Sequence, residues 1–209
     1  MNEGRQLGRS RPGSVGRRAA LLWLCAIVAL PASVALAGPP SDFVREKQSA
    51  LCAALEASTP AEARVAAIFD EMIDYGALAR ASLGDDWAVL TSAQQTEFTG
   101  LLRLLVMRAY EKQLKKTAAY RFEYPGETKA DDGSWLVKTV ATHKTDKRED
   151  PISLDFRLEE SDKGVFHAVD IIVEDVSLVE SYRAQFTKIL RRDGAAALIA
   201  KLKEKLGKG

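Results

Sequence analysis

Histidine and cysteine, which often support nucleophilic catalysis or metal binding, are rare in this sequence, with two of each. His143 precedes a charged segment and His167 lies among apolar residues. Cys52 would be a nucleophile only beside a histidine, and its place on an apolar helical stripe favours a buried small hydrophobe. No Cys/His cluster has metal-ligand spacing, and no G-x-S-x-G motif or glycine-rich phosphate loop is present. We therefore predict no catalytic residue, no metal ion and no cofactor.

Two acidic positions are nevertheless unusual. Asp85 and Asp86 precede Trp87, an arrangement that suits a polar-ligand cleft, but a loop or helix cap explains it more simply. Asp170 interrupts the apolar run 165–173, and a buried carboxylate needs a partner. A structural pair with an arginine, for which Arg183 is the candidate, is favoured over a functional carboxylate.

The first 37 residues have the order of parts of a secretory signal peptide. A segment with five arginines precedes an apolar run over 19–30, and Ala35-Leu36-Ala37 forms an A-x-A cleavage signal. The apolar run is shorter than the roughly 20 residues that a membrane span needs. We predict cleavage after Ala37 and export to the periplasm. Arg17-Arg18 leaves the general secretory and twin-arginine routes open.

The remaining chain, residues 38–209, is long enough for a single domain with a sizeable core. The whole sequence has 30 basic and 29 acidic side chains, and without the first 37 residues these become 25 and 28. The basic excess therefore belongs to the predicted signal peptide, which argues against a nucleic-acid partner. Cys52 is then the single cysteine, so no internal disulfide is expected.

Hydrophobic periodicity divides the domain into helical and strand-forming parts. Helical spacing starts near Ser41, after the capping-box sequence Thr59-Pro60-Ala61-Glu62, from Tyr75, after Thr91 and in two segments either side of Gly194. Alternating polarity marks three strands, at 120–124, 135–144 and, most strictly, 152–159, and the largely apolar run 165–173 marks a fourth. Short connections favour an antiparallel sheet in sequential order. We predict an α+β domain with a four-stranded antiparallel sheet and about six helices.

The stretch 170–186, DIIVEDVSLVESYRAQF, resembles the signature segment of the MlaC (toluene-tolerance) family. In that family a strand leads through a Val-Ser-Leu turn into a helix that bears Tyr-Arg-x-Gln-Phe. Other segments are similar to the family pattern, and the resemblance spans about residues 65–206. Asp175 stands where the family usually has glycine, but aspartate also tolerates the positive φ that glycine favours.

This resemblance implies a periplasmic carrier that holds one glycerophospholipid by its acyl chains in an apolar pocket. It also implies two protein partners, an MCE-domain ABC transporter complex in the inner membrane and an outer-membrane lipoprotein complex. We expect a monomer that acts without catalysis. Some relatives are associated with hopanoids, so the cargo remains open between a phospholipid and another lipid.

A carrier needs more inward-facing apolar surface than its own core uses, and the long helix and the strand faces provide it. The candidate pocket residues are Leu101, Leu105, Tyr110, Val140, Leu154, Phe156, Ile171, Tyr182 and Phe186. The same side chains would equally fill a core. Arg183 and Arg192 are candidates for contact with a lipid phosphate or with an acidic group of a partner.

Two alternatives belong to other functional classes. A small periplasmic hydrolase or isomerase would need a polar cluster around Asp170, His167 or His143 in an open pocket. An adaptor that binds only protein would have a filled core and an exposed apolar patch.

Overall fold

The computed structural model describes residues 38–57, 61–117 and 119–207. The predicted signal peptide and Thr59-Pro60 of the predicted capping box lie outside these residues. The described elements, in chain order, are α1 (Pro39–Glu56), α2 (Ala61–Met72), α3 (Tyr75–Leu83), a 3-10 helix (Gly84–Val89), α4 (Ser92–Thr117), β1 (Tyr120–Lys129), β2 (Trp135–His143), β3 (Ile152–Glu160), β4 (Phe166–Val173), β5 (Val176–Ser177) and α5 (Leu178–Gly207). Among the described helices, none combines the length and apolar character needed to cross a membrane.

Side-chain caps explain where α3 and α4 begin. Asp74 accepts a hydrogen bond from the backbone N–H of Ala77 at 2.8 Å. Thr91 Oγ1 accepts from the N–H of Gln94 at 3.3 Å, and the Gln94 side chain accepts from the N–H of Thr91 at 3.0 Å. This reciprocal pair is the capping box that the sequence predicts at Thr91. Gly84 follows α3 with a positive φ of 55°, where residues with a Cβ are strained.

The strands form one antiparallel sheet in the order β1-β2-β3-β4-β5, which confirms the sequential antiparallel arrangement. β1 is longer than predicted, because it continues through Pro125. The pairing with β2 shifts between Glu123 and Gly126, since proline has no N–H to donate to the ladder.

The prediction of four strands is wrong, because the sheet has a fifth. β5 consists of Val176 and Ser177, which pair with Val173 and Ile172. Two residues are too short to show a period of two. The chain reverses into β5 through Glu174 and Asp175, whose φ angles are 48° and 62°. Asp175 thus adopts the positive φ for which glycine is usual.

The two predicted C-terminal helices are continuous except at one residue. α5 is interrupted at Gly194, where φ is 84° and ψ is 170°. The described chain therefore has five α-helices instead of about six. The break changes the direction of α5 at a residue that has no Cβ to hinder it.

A single hydrophobic core lies between the sheet and the helices. Its largest fully buried side chains are Phe69, Met72, Leu78, Leu83, Phe98, Leu102, Phe156, Leu158 and Leu198. α5 packs against α3, α4 and β4, and α1 packs against β1 and β2. Helices from both halves of the sequence thus pack against the sheet, as expected of an α+β domain.

Thr139 is an unusual member of this core. It is fully buried, and within the described part of the chain its hydroxyl has no hydrogen-bond partner. A buried unpaired hydroxyl costs about 1–3 kcal/mol. We therefore expect Thr139→Val, which keeps the side-chain shape, to raise the free energy of unfolding by about 1 kcal/mol, as measured by urea denaturation. A lower stability would contradict an unpaired hydroxyl. The surface substitution Thr128→Val on β1 is the control, and we expect it to change stability little.

Candidate functional site

An apolar cavity of about 750 Å³ opens between the sheet and helices α4 and α5. Its walls come from seven elements, the β2–β3 loop and the β4–β5 turn. They are formed by Val106, Ala109, Tyr110, Tyr120, Phe122, Ala141, Glu149, Ile152, Leu154, Ile171, Val173, Glu174, Val176, Leu178, Ser181 and Tyr182. This size falls in the upper part of the roughly 300–1,000 Å³ typical of small-molecule sites. Two of these sixteen residues are charged at neutral pH.

Strand register brings the apolar side chains onto one face of the sheet. Ala141 of β2 pairs with Phe122 of β1 and with Ile152 of β3. Leu154 of β3 pairs with Val173 of β4. Because side chains two apart on a strand share a face, these residues form a continuous apolar wall opposite α4 and α5.

Aromatic side chains close the inner end of the cavity. The rings of Tyr182 and Phe186 stack with centroids 5.1 Å apart, and Phe186 meets Phe98 edge-on at 5.4 Å. Phe156 is fully buried and pairs with Ile171, which lines the cavity. The cavity therefore borders the packed core at this end.

The rim of the cavity combines exposed valines with two carboxylates. Val173 is 44% exposed and Val176 is 60% exposed. Glu174 accepts a hydrogen bond from the backbone N–H of Ser153 at 2.5 Å. Glu149 accepts from the hydroxyl of Tyr120. The polar groups of the rim are thus placed where the apolar interior meets water.

Two tyrosines of the cavity have strongly perturbed acidities. Burial raises the pKa of Tyr110 to about 12 and the pKa of Tyr182 to about 12. Desolvation penalises the charged phenolate, so that the neutral phenol is favoured in the folded protein. Both side chains therefore present an uncharged, mostly apolar surface to the cavity at neutral pH.

This shift predicts the behaviour of the protein in alkali. A raised folded-state pKa stabilises the fold fully below the unfolded value of about 10, and this stability is lost between pH 10 and 12. We expect the native protein to show little phenolate absorbance at pH 10, where the urea-unfolded chain is half ionised. Burial also raises the pKa of Tyr75 and Tyr124, so Tyr110→Phe with Tyr182→Phe should remove two of the late-titrating tyrosines and leave these two. Coincident native and unfolded titrations would contradict the burial of these hydroxyls.

The structure brings together four of the nine predicted pocket residues. Tyr110, Leu154, Ile171 and Tyr182 line the cavity. The other five lie outside its lining, in the core or on other surfaces: Leu101, Leu105, Val140, Phe156 and Phe186.

The positions of these five residues along their strands and helices explain why they do not line the cavity. Phe156 and Phe186 lie in the core beneath the cavity, and Leu105 is buried with them. Leu101 packs against the core one turn before Leu105. Val140 alternates with Ala141 and so faces the other side of the sheet.

The predicted arginines do not reach the cavity. Arg183 donates two hydrogen bonds to the carbonyl oxygen of Ala81, from Nε at 3.0 Å and from Nη2 at 2.7 Å. Arg192 forms a two-point pair with Asp193 at 2.9 Å for each hydrogen bond. That pair, together with Lys201, holds the pKa of the Asp193 carboxyl well below its usual value. Neither arginine is among the residues that line the cavity.

Sequence reasoning missed several wall residues. Ile152 and Val173 lie two residues from the predicted Leu154 and Ile171, and extending the period by one step would have found them, whereas no pocket residue was predicted on the strand of Phe122. Ala109 and Ser181 are small residues on α4 and α5. Their contribution is the space that they leave, which gives no signal in a hydrophobic pattern.

Asp170 has a structural environment. Its carboxylate accepts hydrogen bonds from the N–H of Ile171 at 2.8 Å, the N–H of Val179 at 3.0 Å and the hydroxyl of Ser177 at 2.6 Å. The expected pair with Arg183 is wrong, because the N–H of Ile171 on β4, the N–H of Val179 at the start of α5 and the Ser177 hydroxyl satisfy the buried carboxylate.

The other candidates for chemistry have local partners. His143 Nδ1 accepts from the N–H of Asp146 at 2.8 Å, and Asp86 pairs with Arg191 at 2.9 Å. Cys52 is half-buried on α1, where burial raises the pKa of its thiol, and this disfavours the nucleophilic thiolate. No group of three or more potential metal-binding side chains occurs in residues 38–57, 61–117 or 119–207.

Comparisons with known proteins identify similar sequences and folds. The family described as MlaC protein matches residues 51–204. A phospholipid-binding protein from Ralstonia solanacearum, solved in complex with a phospholipid, has the same fold with a TM-score of 0.69. The two chains are 22% identical over 80% of this chain and 96% of the other. No curated protein matches the sequence.

Proposed function

This chain belongs to the MlaC family, and from this premise we propose that it is a non-catalytic carrier of phospholipid in the periplasm. The observation that supports this proposal most directly is the apolar cavity between the sheet, α4 and α5. A phospholipid is bound to the Ralstonia solanacearum protein of the same fold. The acyl chains would occupy the cavity, and the head group would stay at the rim.

The energetics of lipid transfer suit a carrier of this kind. Two acyl chains of about 15 methylenes each, at about 0.8 kcal/mol per methylene, make transfer through bare water cost on the order of 20 kcal/mol. An apolar cavity removes most of this cost. Because a membrane interior is equally apolar, loading and unloading are close to balanced, and no chemical step is needed.

The groups at the rim fit a head group in contact with water. Glu149 and Glu174 are exposed, and Tyr120 is partly exposed. A phosphate there would keep its hydration, which avoids the cost of burying a charge. The acyl chains would therefore provide most of the binding free energy.

The proposed path of transport follows from the family. We infer that the carrier receives or delivers lipid at an inner-membrane MCE-domain ABC transporter complex and at an outer-membrane lipoprotein complex. The exposed Val173 and Val176 beside the opening would be covered when the opening meets such a complex. Transfer would then occur without exposing the acyl chains to water.

Organic extraction and mass spectrometry of the mature protein, expressed as the full precursor in a Gram-negative host, tests the proposal. We expect close to one phospholipid per chain. A hopanoid or another apolar lipid at the same ratio would keep the carrier function and change the cargo. A folded, monodisperse protein without lipid would contradict the carrier function and favour an adaptor.

A further inference from the structure

The start of α1 is joined to β1 through the carboxylate of Glu127. Glu127 Oε2 accepts hydrogen bonds from the backbone N–H of Ser41 at 2.8 Å and from its hydroxyl at 2.6 Å. Ser41 is fully buried, and 86 residues separate the two partners in sequence. The carboxylate therefore lies at the N-terminal end of the helix, where negative charge is favoured by the exposed backbone N–H groups.

The other oxygen of this carboxylate borders Gly38. A Cβ built on Gly38 would lie 2.3 Å from Glu127 Oε1, far inside contact distance. The φ of Gly38 is −109°, which any residue can adopt, so the reason for glycine here is space. Since a backbone nitrogen is about 2.5 Å from its own Cβ, Oε1 lies within about 5 Å of the Gly38 nitrogen.

Gly38 is also the residue that the A-x-A signal predicts as the first of the exported protein. Hydrolysis of the Ala37–Gly38 peptide bond by an endopeptidase consumes one water molecule. Ala37 keeps the new carboxylate, which takes the oxygen of the water, and the Gly38 nitrogen takes both protons of the water and becomes an ammonium. Cleavage thus converts a neutral amide beside Glu127 into a positive charge.

We propose that the α-ammonium of Gly38, formed by cleavage after Ala37, pairs with Glu127 and fastens α1 to the edge of the sheet. The pair adds a charge-assisted hydrogen bond to a carboxylate that is already fixed by Ser41. Other contacts continue the same junction, since the hydroxyl of Tyr124 on β1 donates to Gln48 on α1. Cleavage would therefore strengthen the attachment of α1 to β1, the strand that supplies Tyr120 and Phe122 to the cavity.

A two-by-two comparison tests this proposal. The precursor is expressed in two forms, one unchanged and one with an alanine inserted after residue 37. Each form is made with Glu127 and with Glu127→Gln, which gives four proteins. The intact mass of each purified product identifies its first residue. The insertion moves the ammonium by about 3.8 Å. We expect Glu127→Gln to lower Tm by about 3 °C more in the chain that begins at Gly38 than in the extended chain. Equal losses would overturn the proposal, as would a natural product that begins at another residue.

A matched substitution and a chemical measurement keep the test independent of folding defects. Glu123→Gln, on the same strand and paired with Arg121 at the surface, should lower Tm equally in both chains. In the unmutated mature protein, an amine-reactive reagent should label the Gly38 α-amine about tenfold more slowly than in a peptide of residues 38–47. Labelling as fast as in the peptide would overturn the pair. None of these readouts depends on lipid, so their failure would leave the carrier proposal standing.

Discussion

Tryptophan at both Ala109 and Ser181 is expected to empty the cavity of lipid while the fold remains. Both small residues line the cavity, on α4 and α5 respectively. Each indole would occupy space that acyl chains need, and displacing about four methylenes costs about 3 kcal/mol. This corresponds to an affinity loss of roughly a hundredfold. We therefore expect the phospholipid extracted per chain to fall below about a tenth of the unmutated value.

The same helices provide matched controls for this double substitution. Ala93 on α4 and Ala184 on α5 are exposed and outside the cavity lining. Ala93→Trp with Ala184→Trp should leave about one lipid per chain. Circular dichroism and Tm should show both double variants to be folded. Undiminished lipid in the Ala109/Ser181 variant would mean that the acyl chains bind elsewhere, whereas equal losses in both variants would indicate a non-specific effect of surface tryptophan.

The order of the sheet is predictable because β3 and parts of β1 and β2 repeat their polarity every two residues, and β4 is recognisable as an apolar run. Ile152, Leu154 and Phe156 alternate strictly with polar neighbours, and the connections on either side are short. These local features determine both the strand limits and the antiparallel sequential order. β5 was missed because its two residues cannot display a period, and its position depends on the positive φ angles of Glu174 and Asp175.

The distinction between cavity and core could not be made from the pattern. Leu154 and Phe156 lie two apart on β3 and have the same periodicity. In the sheet, Leu154 pairs with Val173 near the open end, whereas Phe156 pairs with Ile171 over the packed aromatic cluster. Whether a face meets a helix or an empty volume depends on the distance between layers, which hydrophobic periodicity does not encode.

Polar partnerships were the least predictable feature. Arg183 binds the carbonyl of Ala81, 102 residues away in sequence. A backbone carbonyl is present at every residue and gives no signal of its own. For the same reason Asp170 was expected to need an arginine, although the N–H groups of Ile171 and Val179 satisfy it. A sequence shows which side chains are charged, but it does not show which backbone N–H groups will donate hydrogen bonds to the Asp170 carboxylate.

Replacement of Asp170 by alanine is expected to destabilise the domain strongly. The side chain is 7% exposed, and it connects β4 with β5 through Ser177 and with the first turn of α5 through Val179. Its removal leaves two buried backbone donors and a hydroxyl without their acceptor. At about 1–3 kcal/mol for such groups, and allowing for non-additivity, we expect a loss of about 3–4 kcal/mol. Tm should fall by about 10 °C in a domain of this size.

The same substitution separates a structural carboxylate from a catalytic one. If Asp170 were the catalytic carboxylate of a hydrolase or isomerase, the alanine variant would keep its Tm and lose turnover. If Asp170 caps the helix, the same variant has a lower Tm. Asp162→Ala removes an equal charge from an exposed turn and should shift Tm by no more than about 2 °C. Because Asp170 does not line the cavity, the folded fraction of the Asp170 variant should still carry lipid when it is purified well below its lowered Tm. An unchanged Tm for Asp170→Ala would contradict the capping role and reopen the case for chemistry at this carboxylate.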